Sequence, residues 1–275
     1  MTGWIRSDRI DRDALLGFLI PREPRCIAIT SRITHGGGKK TFLDSLSGHV
    51  HISDAGEIDA GLFHTRGGLV LPFFPSESGE PEIPLADQYR KLFPARILSI
   101  LGTERSVRAC ERLFQTPPST RMEYHLMTAG ASNVPRLACP EGLSISQAMP
   151  DDGSLLFKLQ FDYEKEEVVI DREAHDPEVT MAHLRKNLSV QTILYAKHNG
   201  VLVAKGGTNA KGHTCHQLGG IYTLPEYRSR GIAQALVSRL CSLIAFDVPR
   251  VSLFVRIDNP AAIAVYRRLG FEIID

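Results

Sequence analysis

The stretch Gln217-Leu-Gly-Gly-Ile-Tyr-Thr-Leu-Pro-Glu-Tyr-Arg228-Ser-Arg-Gly231-Ile-Ala-Gln-Ala-Leu236 decides the fold of the second half of this 275-residue chain. Its first part is apolar and glycine-rich, which indicates a strand. From Ile232 onward, apolar residues recur at helical spacing as far as Leu243. A short basic turn separates the two patterns, so we expect a strand that runs directly into a helix N-terminus.

That basic turn favours binding of an anion. A helix N-terminus exposes unpaired backbone N–H groups and the positive end of the helix dipole. Gly231 and Ala233 keep the turn small, so the backbone can approach a ligand closely. Arg228 and Arg230 add positive charge. The same residues would also suit an exposed turn ahead of a core-facing helix, so the turn alone leaves both interpretations open.

The sequence after this helix predicts one more strand and one more helix. Val251-Ser-Leu-Phe-Val255 is typical of a buried strand. Pro260 suits the first turn of a helix and Gly270 suits its C-terminal cap. A short last strand follows before the sequence ends at Asp275.

The sequence before the turn also predicts alternating strands and helices. Strands 192–197 and 201–206 are joined by His198-Asn-Gly, and Asn-Gly is a strong hairpin signal. A strand is expected at 143–148, a helix after Pro150-Asp-Asp-Gly153, and another helix from Pro177 to Leu188.

The first half predicts an α/β layer of its own. We expect helices at 13–19, 85–92 and 103–114, and strands at 26–29, 49–52, 69–73, 96–101 and 122–127. The segment 129–142 is rich in Gly, Pro, Ser and Asn, so we place a domain boundary there and divide the chain into residues 1–135 and 136–275.

Composition restricts the possible partners and location. The formal net charge of +1 comes from 32 basic and 31 acidic residues, so no global field favours nucleic acid or an anionic membrane. No segment reaches about 18 consecutive apolar residues, and the N-terminus lacks a secretory pattern, so we expect a cytoplasmic protein. The five cysteines lie far apart without a CxxC pair, which favours buried thiols.

Two other clusters give weaker signals. Gly36-Gly-Gly-Lys-Lys40 lacks the full spacing of a phosphate-binding P-loop and suggests a plain loop. His213, Cys215 and His216 lie within four residues of one strand and cannot converge on one ion, so no metal site is expected.

The two signatures together resemble the GCN5-related N-acetyltransferase (GNAT) family. Arg228-Ser-Arg-Gly231-Ile-Ala233 fits that family's R/Q-x-x-G-x-G/A pattern, and Asn259, Ala262, Tyr266 and Gly270-Phe271 fit its second signature. The resemblance runs from Leu143 to the C-terminus. The first half more weakly resembles the degenerate N-terminal half of tandem family members.

The resemblance implies an α/β fold with mixed sheets, in which a C-terminal GNAT domain follows a smaller GNAT-like domain that does not bind CoA. It implies acetyl-CoA as co-substrate and an amine as acceptor. Tyr266 would protonate the departing thiolate, since a phenol can donate to a thiolate within hydrogen-bond reach. The implied CoA-binding residues are Tyr222, Thr223, Leu224, Arg228, Ser229, Arg230, Gly231, Ile232, Ala233, Gln234, Asn259, Ala262 and Tyr266.

The group that deprotonates the acceptor is the main departure from the family pattern. Many relatives have a glutamate where this chain has Gln217, and an amide cannot act as that base. The neighbouring His216 has a suitable intrinsic pKa, but strand alternation points it to the opposite face unless a bulge intervenes. An acidic run, Glu164, Glu166 and Glu167, would either attract a cationic amine or form a solvated helix face.

Two hypotheses of different classes therefore stand. The first is an active N-acetyltransferase with a non-catalytic first domain. The second is an acyl-CoA-binding regulatory module without turnover, which Gln217 favours and Tyr266 disfavours. Transfer to a hydroxyl or a thiol would use the same CoA-binding residues. The sequence does not distinguish among amine acceptors or oligomeric states.

Overall fold

The computed structural model describes residues 3–35, 46–75, 97–114, 117–168 and 175–275. The chain divides into two compact units, Met1–Met122 and Glu123–Asp275. Each unit contains one sheet with its own helices.

The first unit is built on a five-stranded sheet of order β1-β2-β3-β4-β5. Neighbouring strands are antiparallel except for the parallel pair β4 and β5. Its strands are β1 Gly3–Arg6, β2 Ser47–Ile52, β3 Ile58–His64, β4 Leu69–Phe73 and β5 Ser99–Ile100, and its described helices are α1 Arg12–Leu19, α2 Glu23–His35 and α3 Glu104–Phe114. Two apolar clusters form its core.

The expected strand at 26–29 is wrong, because these residues belong to α2. A short apolar run does not by itself distinguish a strand from a buried helix. The helix bends at Cys26, whose φ of −133° is not helical, and beyond this bend Ile29 and Ile33 recur at helical spacing and are buried in the same core as Cys26. The strands β1 and β3 were not predicted. The predicted helix at 85–92 and the loop Gly36–Lys40 lie outside the described residues.

The second unit is built on a seven-stranded sheet of order β12-β6-β11-β10-β9-β8-β7. Only β10 and β11 pair in parallel among its described ladders. Its strands are β6 Tyr124–Gly130, β7 Leu143–Gln147, β8 Ile193–His198, β9 Val201–Lys211, β10 Cys215–Thr223, β11 Arg250–Arg256 and β12 Glu272–Ile273, and its described helices are α4 Gly153–Tyr163, α5 Pro177–Val190, α6 Ile232–Ile244 and α7 Pro260–Arg268.

The turn signals of the second half are confirmed. Asn199 and Gly200 both have positive φ values, 50° and 84°, as a two-residue hairpin turn requires. Pro260 opens α7, and Gly270 follows it with a φ of 83°. The long helical pattern after Gly153 is interrupted, since α4 ends at Tyr163 and a π-helical segment covers Glu164–Val168.

The boundary between the units lies earlier than the sequence indicates. The strand predicted at 122–127 is β6, which pairs with β11 from Arg250↔Gly130 to Arg256↔Tyr124 and with β12 on its other edge. These ladders bind β6 to the second sheet, so the division falls after Met122 instead of after residue 135. The Gly- and Pro-rich segment that suggested the later boundary connects β6 to β7 within the second unit.

Among the described residues, no helix combines the length and apolar character that crossing a membrane would require. The same residues contain no group of three His, Cys, Asp or Glu side chains placed to hold a metal ion.

Candidate functional site

The parallel strands β10 and β11 separate along their length. They pair from Cys215↔Arg250 to Leu218↔Leu253, and no pairing continues beyond these residues. Yet β10 extends to Thr223 and β11 to Arg256. Within the described part of the chain, the backbone of β10 after Leu218 therefore has no strand partner on its β11 side. Such an opening offers N–H and C=O groups to an extended polar ligand.

A bulge shifts β10 at this opening. Gly219 lies opposite Gly207, but Tyr222 lies opposite Lys205, so β10 carries one extra residue. Gly220 accommodates the bulge with a φ of +61°, a conformation that L side chains rarely adopt. An added Cβ at Gly219 would lie 1.8 Å from the Asn209 side chain, so a larger residue there would require that exposed side chain to move.

The basic turn leads from β10 into α6, as predicted. Ser229 and Gly231 both adopt left-handed backbone conformations, with φ values of 62° and 75°. Gly231 is the N-cap residue of α6, and no side chain caps that helix. The first N–H groups of α6 therefore point to where a ligand with negative charge could bind, and the diphosphate site expected there stays a prediction.

The two arginines of the turn are exposed but already have partners. Arg228 donates to the Thr223 carbonyl over 3.0 Å and to the Glu166 carboxylate over 2.8 Å. The Glu166 hydrogen bond raises the pKa of Arg228. Arg230 donates to the Glu226 carbonyl over 3.0 Å. A diphosphate that binds Arg228 through Nη2 competes with Glu166 for that nitrogen.

The acidic run is not a uniform solvated helix face. Glu164 accepts hydrogen bonds from Thr180 and Gln160, and it lies 2.9 Å from His175. Burial alone would raise the pKa of Glu164, but these hydrogen bonds outweigh it and lower the pKa. For Glu167, burial and then the charge of Glu166 raise the pKa.

Tyr266 lies in the interior, with 7% of its surface exposed. Its ring packs edge-on against Phe271, with 5.9 Å between the ring centroids. Burial raises the pKa of Tyr266, and the charges of Tyr163 and Glu167 act in the same direction. The phenol therefore stays protonated at neutral pH, as a proton donor must be.

Asn259 has a structural role that sequence reasoning missed. It is the N-cap residue of α7, and its Oδ1 atom accepts a hydrogen bond from the Ala262 backbone N–H over 3.0 Å. The pattern Asn-Pro-x-Ala was a sufficient signal for this cap. Because Oδ1 takes part in this cap, a contact between Asn259 and CoA would use the Nδ2 amino group of the side chain.

His216 and Gln217 lie on opposite faces of β10. His216, 6% exposed, is opposite Val251, which packs in the core beneath α6. Both register shifts between β10 and β9 follow His216, so they do not turn its ring to the face that carries Gln217. The role of His216 as a base stays a prediction. The bulge that would have turned its ring to the face of Gln217 does not occur at this position.

Lys205 is the site residue that sequence reasoning missed. It lies on β9 directly opposite Tyr222, at the β10 bulge, and only 3% of its surface is exposed. The sequence signal that could have identified Lys205 is a lysine inside Val-Leu-Val-Ala-Lys-Gly-Gly, a predicted strand whose other residues are all apolar or small.

Two polar atoms indicate that β10 suits a polar ligand. In the described part of the chain, Gln217 Nε2 and Thr223 Oγ1 are buried without a hydrogen-bond partner. Buried polar atoms are normally satisfied by protein, water or ligand. The amide-bearing arm of CoA is a ligand that such a strand could hold.

Comparison with known proteins agrees with this geometry. Residues 156–271 match the acetyltransferase (GNAT) family. An acetyltransferase of Pectobacterium atrosepticum is 39% identical over 104 residues, which are 37% of this chain and 71% of that protein.

Solved structures extend the likeness in fold to both units. A GCN5-related N-acetyltransferase from Sphaerobacter thermophilus aligns over 98% of this chain and 92% of its own, with a TM-score of 0.57 and 18% identity. A tandem GNAT protein from the clavulanic acid biosynthesis pathway aligns over 99% and 95%, with a TM-score of 0.54 and 15% identity. The mixed-sheet α/β units are thus two GNAT-like halves, and the chain is an acetyltransferase that belongs to the GNAT family.

Proposed function

We propose that this enzyme transfers an acetyl group from acetyl-CoA to the amine of an acceptor. The observation that carries the proposal is the opening between β10 and β11, which leads into a turn with Gly231 in a left-handed conformation. The opening suits an extended amide-bearing arm, and the turn suits the diphosphate to which that arm is attached.

Each part of the proposed CoA site has a distinct task. The α6 N-terminus, with the backbone of Arg228 to Gln234, would hold the diphosphate. The backbone of Tyr222, Thr223 and Leu224 would align the arm. Bound there, acetyl-CoA supplies an activated thioester carbonyl beside the β10 bulge.

The protein must also move protons. The acceptor nitrogen attacks the thioester carbon, and the bond from that carbon to sulfur breaks. Tyr266 would give its proton to the departing sulfur, which favours cleavage. An amine with a pKa of about 10.4 needs about 4.6 kcal/mol to lose its proton at pH 7, so a second group must accept a proton from the acceptor.

We propose that the first unit does not bind CoA. After β4, its sequence continues Phe74-Pro-Ser-Glu-Ser, without the basic glycine turn that follows β10.

Calorimetric titration with acetyl-CoA, followed by release of free thiol against a panel of amines, tests this function. We expect saturable binding and thiol release that depends on the amine. Binding of acetyl-CoA without thiol release in the presence of any amine would favour an acyl-CoA-binding regulatory module over a transferase. Release that depends only on alcohols or thiols would move the acceptor to another class, and absence of binding would exclude the CoA site.

A further inference from the structure

Lys205 is a buried amine at the β10 bulge. Its Nζ atom donates a hydrogen bond to the Gly220 carbonyl over 2.9 Å. Nζ also lies 4.8 Å from the centroid of the Tyr163 ring, which covers it from α4. Gly220 is the left-handed residue of the bulge, so Lys205 contacts the distorted backbone beside the opening that would receive the thioester.

The surroundings of Lys205 contain little negative charge. Its neighbours across the sheet are Tyr195 on β8 and Tyr222 on β10. Tyr163 faces it from α4, and burial raises the pKa of that phenol to about 12. Among the described residues, Glu164 is the carboxylate whose charge acts on Lys205, and it already accepts hydrogen bonds from Thr180 and Gln160.

This environment disfavours a charged ammonium group. Burial lowers the pKa of Lys205 to about 7, although the charge of Glu164 acts in the opposite direction. A neutral lysine still donates through its N–H bonds, so it can keep the Gly220 contact while its lone pair accepts a proton.

We infer that neutral Lys205, held at the β10 bulge, accepts a proton from the acceptor ammonium and so leaves the neutral amine that attacks the thioester. The inference rests on the proposed function and identifies its missing base. The acceptor enters as an ammonium with three protons on nitrogen. One remains in the amide, one passes to Lys205 and then to water, and one replaces the proton that Tyr266 gives to sulfur.

Other groups near the bulge suit this task less well. Gln217 carries an amide, and His216 lies on the face of β10 that carries the core beneath α6. Glu164 is stabilised as a carboxylate by its hydrogen bonds, which weakens it as a base.

The first test measures the protonation of Lys205 without any turnover. The protein is labelled with 13C at lysine Cε, and the resonance that Lys205→Met removes is followed by NMR from pH 5 to pH 10. We expect a midpoint near 7. A Lys205 that stays protonated above pH 9 would overturn the inference whether or not any acceptor has been found.

The second test uses the pH profile of kcat/KM for an amine that the wild-type enzyme accepts. With Lys205 as base, the wild-type profile rises to about pH 7 and then stays level up to the pKa of the amine. In Lys205→Met the value at pH 7 should fall by about 100-fold, the lower end of what general bases contribute, and should continue to rise with pH because only neutral amine reacts. A purely structural role would lower the rate without changing the shape of the profile.

Lys197→Met is the matched control. Lys197 lies on β8 and also contacts a tyrosine ring, with Nζ 5.7 Å from the Tyr195 centroid. Its variant should keep the wild-type profile. Equal profiles for Lys205→Met and the wild type would overturn the inference but leave the transferase function intact. Acetylation of Lys205 itself, detected by mass spectrometry during turnover, would make it a nucleophile and would also overturn the inference.

Discussion

At the scale of single residues, burial decides what Tyr266 can do. The pKa of this phenol is raised, so the side chain holds its proton at neutral pH and can give it up only as negative charge develops on the sulfur while the bond from carbon to sulfur breaks. Tyr266→Phe keeps the ring packing on Phe271 and removes the proton. We expect unchanged affinity for acetyl-CoA and a kcat lowered by about 100-fold.

The matched control for that measurement is Tyr124→Phe, a change on β6 that also removes one hydroxyl group. It should leave kcat unchanged. If Tyr266→Phe retains full turnover, water or another side chain protonates the sulfur.

The conformation of Gly231 supports a second prediction. Its φ of +75° is unfavourable for a β-branched side chain, although nothing lies closer than 3.8 Å to an added Cβ. Gly231→Val should therefore distort the turn and abolish calorimetric binding of acetyl-CoA. Gly200→Val, at a φ of +84° in the β8–β9 hairpin, introduces similar backbone strain away from the turn. It should lower stability by about 1 kcal/mol or more and leave binding intact.

The ion pair between Arg228 and Glu166 supports a third prediction. Both side chains are partly exposed, so their interaction is worth at most about 1 kcal/mol. Glu166→Gln should release Arg228 for the diphosphate and tighten acetyl-CoA binding by up to about fivefold in a calorimetric titration. Glu104→Gln removes an exposed partner of Arg108 in the first unit and should leave acetyl-CoA binding unchanged. Weaker binding in Glu166→Gln would mean that Glu166 positions Arg228 for the ligand.

At the scale of secondary structure elements, β6 makes the later domain boundary untenable. Every residue of β11 pairs with β6 on one side, and β12 pairs with β6 as well. A fragment of residues 136–275 would lack that strand and expose both edges, whereas residues 123–275 retain it. We expect the longer fragment to give a cooperative unfolding transition by circular dichroism and the shorter one to aggregate. A cooperative transition in the shorter fragment would show that β6 is dispensable.

The elements that the sequence predicted well are those with local signals. The Asn199-Gly200 hairpin, the Pro260 start of α7 and the Gly231 turn each depend on one or two residues with restricted backbone conformations. The position of β6 between β11 and β12 depends on pairing between segments far apart in sequence, which no local pattern contains. The same limit explains why the sequence did not identify Lys205 as a candidate site residue. Its position beside the bulge of β10 depends on the pairing of β9 with β10.

At the scale of the whole molecule, a buried lysine makes stability depend on pH. Lys205 has a pKa of about 7 in the folded protein and about 10.4 when unfolded, so between these values the unfolded chain binds more protons. The free energy of unfolding therefore rises with pH in this window, whereas below pH 7 Lys205 adds no pH dependence to it. Burial also raises the pKa of Cys110 and of Cys241 to about 12, which lowers stability above about pH 9.

Comparison with Lys205→Met isolates the lysine contribution, because both proteins share the cysteines. We expect the variant to be the more stable protein at pH 7, and its advantage to shrink by on the order of 2 to 3 kcal/mol between pH 7 and pH 9. Urea unfolding of the full chain, followed by circular dichroism at several pH values, measures the difference. A constant difference across this range would mean that Lys205 folds as an ammonium, because only a lysine that is neutral in the folded protein links unfolding to proton uptake there.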